Sequence, residues 1–190
     1  MSKGTINVSV DNIFPLIKKF LYSDHEIFLR ELISNATDAT VKLKYLTNIG
    51  EAKVEYGNPM IEIKIDKENK KLHIIDQGIG MTKDEIEKYI NEIAFSGAEE
   101  FLEKYKDESG DDKGIIGHFG LGFYSAFMVA EKVEIISKSF KDEPAVHWEC
   151  DGSPEYVTKA SDKTDRGTEI ILHIADDSLE FLEDARITEL

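Results

Sequence analysis

One cysteine, Cys150, in 190 residues excludes a disulfide framework and predicts a reducing, cytoplasmic setting. Long apolar runs are missing too. None approaches the ~20 residues that a bilayer span requires, and the start, MSKGTINVSV, has no signal-peptide core. Positive charge is scarce: 23 Lys+Arg against 38 Asp+Glu leave a net −15. Such a chain is a poor partner for DNA, RNA or an anionic membrane. The five histidines, at 25, 73, 118, 147 and 173, form no close His/Cys cluster in the sequence, so no structural zinc is expected. No Gly-x-Ser-x-Gly elbow supports a serine hydrolase. Neither GxxxxGK[ST] nor a GxGxxG in a βαβ unit is present, which removes the P-loop and Rossmann readings. The length suits one globular domain, 1–190, with a real core.

What is present is organised around Asp24 to Lys44, DHEIFLRELISNATDATVKLK. Asp24 can cap a helix that neither Pro nor Gly interrupts. Phe28, Leu32, Ala36, Ala39 and Leu43 recur at three and four residues and give a core-facing stripe. Beside it stand Glu31, Asn35 and Asp38, four and seven residues apart and therefore on nearly one face. Polar groups at the edge of an apolar face need solvent or a ligand to satisfy them. Taken alone, an ordinary solvated face is the better explanation of them.

In chain order, Thr5 to Val10 alternates as a short strand, and Asp11 or Asn12 can cap a helix through Leu21. The central helix ends near Asn48 and Gly50. Ile61–Asp66 and Leu72–Asp76 are strands joined by the polar KENK, a hairpin signal. The second runs into Asp76-Gln-Gly-Ile-Gly-Met81, after which Thr82 and Glu85 form a capping box. A short helix is expected over Ala98–Lys106, then an acidic Gly-containing stretch, 107–114. Gly117-His-Phe-Gly-Leu-Gly-Phe123 precedes a small, apolar helix, Tyr124–Ala130. Strands follow over Lys132–Phe140, Ala145–Cys150, Glu155–Lys159 and Gly167–Ile174. Asp176 or Asp177 is expected to cap a last helix that stops at Leu190 in mid-element, as in a longer protein. Hairpin strands with helices grouped elsewhere predict an α+β two-layer sandwich, helices on one face of a mostly antiparallel sheet.

Three elements thus stand in fixed order: Glu31…Asn35, Asp76-x-Gly-x-Gly80 and Gly117-x-x-Gly-x-Gly122. A Gly-x-Gly after a strand is ordinarily a turn, but glycines before a helix bare backbone N–H groups at its positive end. With FLRELISNATDA, DQGIGM, IGHFGLGFYSAFMVA and DRGTEIILHI, the chain resembles the N-terminal nucleotide-binding domain of the ninety-kilodalton heat-shock chaperones, bacterial HtpG type. The resemblance covers nearly the whole chain and implies the GHKL, or Bergerat-type, ATP-binding fold.

The resemblance implies ATP/ADP and Mg²⁺ as ligands. Asn35 matches the magnesium ligand, an oxygen donor suited to a hard cation. Glu31, one helical turn earlier, matches the general base for the attacking water. Asp38 and Ala39 match residues beside the adenine. Asp76 matches the adenine reader, a carboxylate able to accept from the exocyclic amine. Thr168 shares that contact through water, Gly80 lets the base approach the backbone, and Met81 supplies an apolar wall. Gly117, Gly120, Gly122 and Phe123 match the loop whose amides bind the phosphates, at the end of a lid over about 97–122. Client polypeptides and co-chaperones as partners, homodimerisation of the full-length protein and a monomeric fragment are implied likewise.

Two positions depart from the family pattern: Phe95 replaces its phosphate-facing lysine, and His118 replaces a glutamine. A sensor histidine kinase is the rival enzyme, faintly echoed by Ser23-Asp-His25-Glu26, but no proline follows as that box requires. The rival of another class is a nucleotide-gated binding module without turnover of its own. The family's hydrolysis needs an arginine from a middle domain and dimerisation through a C-terminal one, neither of which is in these residues.

Overall fold

Alternating apolar and polar residues in the second half of the chain build one sheet. The computed structural model describes residues 25–91, 104 and 122–190. Its strands are β1 (Glu62–Asp66), β2 (Lys71–Ile75), β3 (Ala130–Lys138), β4 (Ala145–Cys150), β5 (Val157–Ser161) and β6 (Gly167–Ile174). They lie in the order β1-β2-β6-β3-β4-β5, every described pair antiparallel. The expected antiparallel sheet with helices on one face is therefore what the described residues form. The strand over Thr5–Val10, the helix to Leu21, Asp24 itself and the lid up to Leu121 (Lys104 apart) lie outside them. The central helix starts at Ile27 with Glu26 at its N-cap and no side-chain cap, not at an Asp24 cap.

Because side chains alternate across a strand, the register decides which residues share a face. Leu72, Leu172, Val133 and Cys150 stand in one row across the sheet, and Ile74, Ile170, Ile135 and Trp148 in the next. These rows meet Phe28, Leu29 and Leu32 of helix α1 (Ile27–Asn48) in the main core. Phe28 packs edge-on against Phe181, with centroids 5.0 Å apart. The stripe holds except at Ala39, which is half-buried. The helix stops where expected: Gly50 takes a positive φ of 76°, and the Glu51 and Ala52 amides turn back to the Leu46 carbonyl.

The β1–β2 hairpin turns on KENK, with Lys70 at φ 52° and the Asp66 carboxylate accepting from the Asn69 amide at 3.0 Å. Helix α2 (Lys83–Tyr89) opens with the capping box: Thr82 Oγ1 accepts from the Glu85 amide, and Glu85 accepts from the Thr82 amide. Thr82→Ala is expected to cost about 1 kcal/mol, read as a lower urea midpoint with an unchanged slope.

Several boundaries differ from expectation. Gly122–Met128 is a 3-10 helix and Ala130 already belongs to β3. Phe123 to Met128 are all buried, so no solvent face selects the α period there, and Ser125 Oγ donates to the Gly122 carbonyl. β3 ends at Lys138 because the Phe140 amide turns away to the Ile79 carbonyl, at 2.8 Å. β5 starts two residues late, at Val157, after a turn through Gly152 at φ 80°. The last helix divides into a 3-10 segment, Asp176–Leu182, and α3 (Asp184–Glu189). Ala175 precedes it and no side chain caps it; Asp176 instead pairs with Lys70, at 2.6 Å.

Candidate functional site

Strand alternation carries Asp76 to the helix side of the sheet, one step past Leu72 and Ile74 at the end of β2. It forms a pair of main-chain bonds with Thr168: Asp76 N–H to the Thr168 carbonyl at 2.8 Å and Thr168 N–H to the Asp76 carbonyl at 3.2 Å. Its side chain is buried, and the Gly78 amide donates to Oδ1 at 2.8 Å. Burial pushes the carboxyl from its ordinary 3.8 up to about 6; the Gly78 and Thr168 amides and the Lys163 ammonium offset part of that rise. A buried acid at a strand end, held partly against its own ionisation, is a functional-site signature.

Beneath it lies a hydroxyl network. Ser137 and Thr168 are register partners whose Oγ and Oγ1 are 2.9 Å apart, and Ser137 Oγ accepts from the Met81 amide at 2.8 Å. Both hydroxyl residues are buried. Ser137→Ala is expected to leave the Met81 amide without its acceptor and to destabilise the domain by about 1–3 kcal/mol, measured by urea unfolding.

The loop from Asp76 to Met81 is sewn down on three sides. Against α1, the Ile79 amide donates to the Ala39 carbonyl at 3.1 Å, and a Cβ on Gly78 would lie 2.5 Å from the Ala39 carbonyl carbon. Against β3, Gly80 has φ +61° and a Cβ there would lie 2.0 Å from the Lys138 oxygen. The missing side chain of Gly80 is thus already required by β3. Against β6, Gly167 has φ +121° and the same clearance from the Asp76 carbonyl oxygen. Arg166 Nε and Nη2 donate to the Gln77 carbonyl, Nε also to that of Gly78, and Nη1 to that of Glu55 at 3.2 Å.

The other wall is α1. Glu31 and Asn35 are half-buried on it and Asp38 is buried. Asn35 stands one turn from Glu31 and one from Ala39, where the Asp76 loop docks. Gly122 meets the N-terminal half of the helix: a Cβ on it would come 2.5 Å from Glu31 Oε2. A single helix therefore borders the Asp76 loop at Ala39 and the start of the 3-10 segment at Glu31. Met81 is half-buried. The Phe123 side chain points into the core, edge-on to Trp148 with centroids 5.7 Å apart. Gly117 and Gly120 lie outside the described residues, as do Phe95 and His118. His25 is exposed just ahead of α1, its carbonyl accepting from the Phe28 amide at 3.3 Å.

Three contributors carry no expected role from the sequence: Ser137, Arg166 and Gly167, whereas Gly78 already stands in the Asp76-x-Gly-x-Gly80 motif. The Arg166-Gly-Thr168 run was noticed for its threonine alone. The register of β3 against β6, which no local pattern encodes, is what reveals Ser137.

Helices packed on one face of an antiparallel sheet, with polar side chains collected between α1 and the strand ends, define an α+β domain with one candidate ligand site. The chain belongs to the histidine kinase-, DNA gyrase B-, and HSP90-like ATPase family, which residues 22–176 match. Over its whole length it is 63% identical to chaperone protein HtpG of Bacteroides thetaiotaomicron, covering 27% of that protein. Over 99% of its length it is 60% identical to chaperone protein HtpG of Porphyromonas gingivalis, again 27% of the relative. An endoplasmin homologue of Dictyostelium discoideum is 46% identical over 99% of the chain and 25% of its own length. The chain thus spans about a quarter of the curated relatives that it matches, at their N-terminal part. Among the described residues no helix is long and apolar enough to cross a membrane.

Proposed function

We propose that residues 1–190 form a single N-terminal domain that binds ATP and ADP with Mg²⁺ and hydrolyses ATP within a longer HtpG-type chaperone. The observation that carries this reading is the buried Asp76 carboxylate, kept at the end of β2 although burial raises its carboxyl to about 6. The donor set fits the ligands. A carboxylate accepts from the adenine amine, which guanine lacks at that position. Thr168 shares the contact, and Met81 and the Ala39 region flank the base. Asn35 offers the hard oxygen that magnesium prefers. Gly122 leaves clearance beside Glu31 that a Cβ would fill.

In this reading Glu31 orients the attacking water and takes its proton as that water adds to the terminal phosphorus, whose bond to the bridging oxygen breaks so that ADP leaves. Bound magnesium would neutralise charge on the phosphate oxygens, with Asn35 among its ligands. Residues about 97–122 serve as the lid. In the full protein the nucleotide state controls association of two N-terminal domains of a homodimer and thereby the folding of client polypeptides, with co-chaperones as further partners, in the cytoplasm. The isolated chain is monomeric and binds nucleotide with slow or undetectable turnover.

Calorimetric titration of the chain with ADP and Mg²⁺, in parallel with GDP and Mg²⁺, tests the reading. Binding of the first and none of the second is expected. Equal binding of both would remove the adenine role from Asp76, and binding of neither would overturn the site.

A further inference from the structure

On the sheet face turned away from α1, three strands gather a second polar cluster. Glu134 of β3 and Glu149 of β4 are direct register partners. Like charges placed opposite each other destabilise a sheet unless a cation or proton sits between them. The imidazole of His147 of β4 reaches between them, with Nε2 2.7 Å from Glu134 Oε2 and 3.7 Å from Glu149 Oε2. One ligand atom from each of the three lies within 4.8 Å of the other two. The other Glu134 oxygen, Oε1, is held by His173 Nε2 of β6 at 2.5 Å. The side chains of Glu134 and His147 are only 12% and 16% exposed, so they are not loose surface groups.

We infer that Glu134, His147 and Glu149 form a binding site for a divalent transition-metal ion of the zinc class, on the face opposite the nucleotide site. Zinc binds imidazole nitrogen and carboxylate oxygen at about 2.0–2.2 Å, which sets tetrahedral ligand atoms about 3.3 Å apart. The two distances from His147 Nε2 bracket that value. Binding takes the Nε2 lone pair of neutral His147 and releases its proton where that nitrogen is protonated. It also displaces the ammonium groups of Lys132 and Lys159, which stand 3.1 and 3.7 Å from Glu149 Oε2. His173 keeps Glu134 turned so that Oε2 remains available, the kind of support that typically changes metal affinity by about 10–100-fold. The His147-x-Glu149 spacing puts two of the three on one face of β4, and Glu134 joins them only through the β3–β4 register.

Zinc titration of the chain by calorimetry, with cobalt absorption as a second readout, tests this. Saturable binding of one zinc is expected, with visible cobalt bands of a low-coordinate site. His147→Gln should weaken zinc by about 100-fold or more and His173→Gln by about 10-fold, and both should leave ADP binding unchanged. If His147→Gln lowers the unfolding midpoint sharply, Glu149→Gln replaces it, since it leaves the His147–Glu134 bond intact. No zinc binding up to millimolar concentration, or equal binding by wild type and the His147 or Glu149 variant, would overturn the site.

Discussion

Asp76→Asn is expected to lose adenine-nucleotide binding by ~10²-fold or more while making the unliganded domain more stable above pH 6. Both effects come from one carboxylate. Asp76 offers two acceptor oxygens, and Oδ1 is occupied by the Gly78 amide at 2.8 Å. The other is the one that an incoming amine can use. Asparagine has a single acceptor oxygen. Turned one way it satisfies Gly78 and presents N–H to the adenine amine; turned the other way it satisfies adenine and opposes the Gly78 amide. Either choice leaves a buried donor without an acceptor, a loss of about 3 kcal/mol in a closed site. Guanine carries an acceptor where adenine carries its amine, so the variant should also narrow the discrimination between ADP and GDP.

The stability effect has the opposite sign. Folding raises the Asp76 carboxyl from 3.8 to about 6. A group whose folded value is raised favours the fold most below its unfolded value and loses that contribution as pH rises through the folded one. At pH 8 the ionised Asp76 therefore costs on the order of 2–3 kcal/mol relative to acid conditions. The neutral amide does not titrate. Urea unfolding of both proteins at pH 4 and pH 8 should show nearly equal midpoints at the lower pH and a more stable variant at the higher. A variant less stable at pH 8 would mean that the carboxylate is held by more partners than the Gly78 and Thr168 amides and Lys163. This trade of stability for function is expected of a binding site rather than of a core position.

The parts legible in the sequence were those with a local cause. The α1 stripe, the Thr82–Glu85 box, the KENK hairpin and β6 each depend on residues within a few positions of one another. Asp76 and Thr168 were singled out by the family resemblance of the stretches that hold them. What escaped depends on pairing over distance. Ser137 acts because β3 lies beside β6, and Glu134 faces His147 because β3 lies beside β4. Arg166 holds Gln77 and Gly78 across 88 or 89 positions of chain. The helix after Gly122 was expected over Tyr124–Ala130 and is a 3-10 segment over Gly122–Met128 for a related reason. A segment buried on every side has no polar face whose period could reveal its geometry.

Glu31 is where the helix and the glycine segment can be tested together. In the full-length protein Glu31→Ala is expected to keep ATP binding and to lower turnover by ~10²-fold or more, as for removal of a general base. Gly122→Ala probes the same carboxylate from the other side. Its Cβ would lie 2.5 Å from Glu31 Oε2 but 3.5 Å from Glu31 Cβ, so the flexible end of Glu31 can swing aside and the fold survives. If Glu31 is the proposed base, its carboxylate is then displaced from the attacking water, and kcat is expected to fall steeply while binding holds. Because the two changes act on one group, their effects should not add. Gly122→Ala should cost turnover in wild type and almost nothing further in the Glu31→Ala background. Additive losses in this cycle would show that Gly122 serves the phosphates through its own backbone, independently of Glu31. Unchanged turnover in Glu31→Ala would remove the base role altogether.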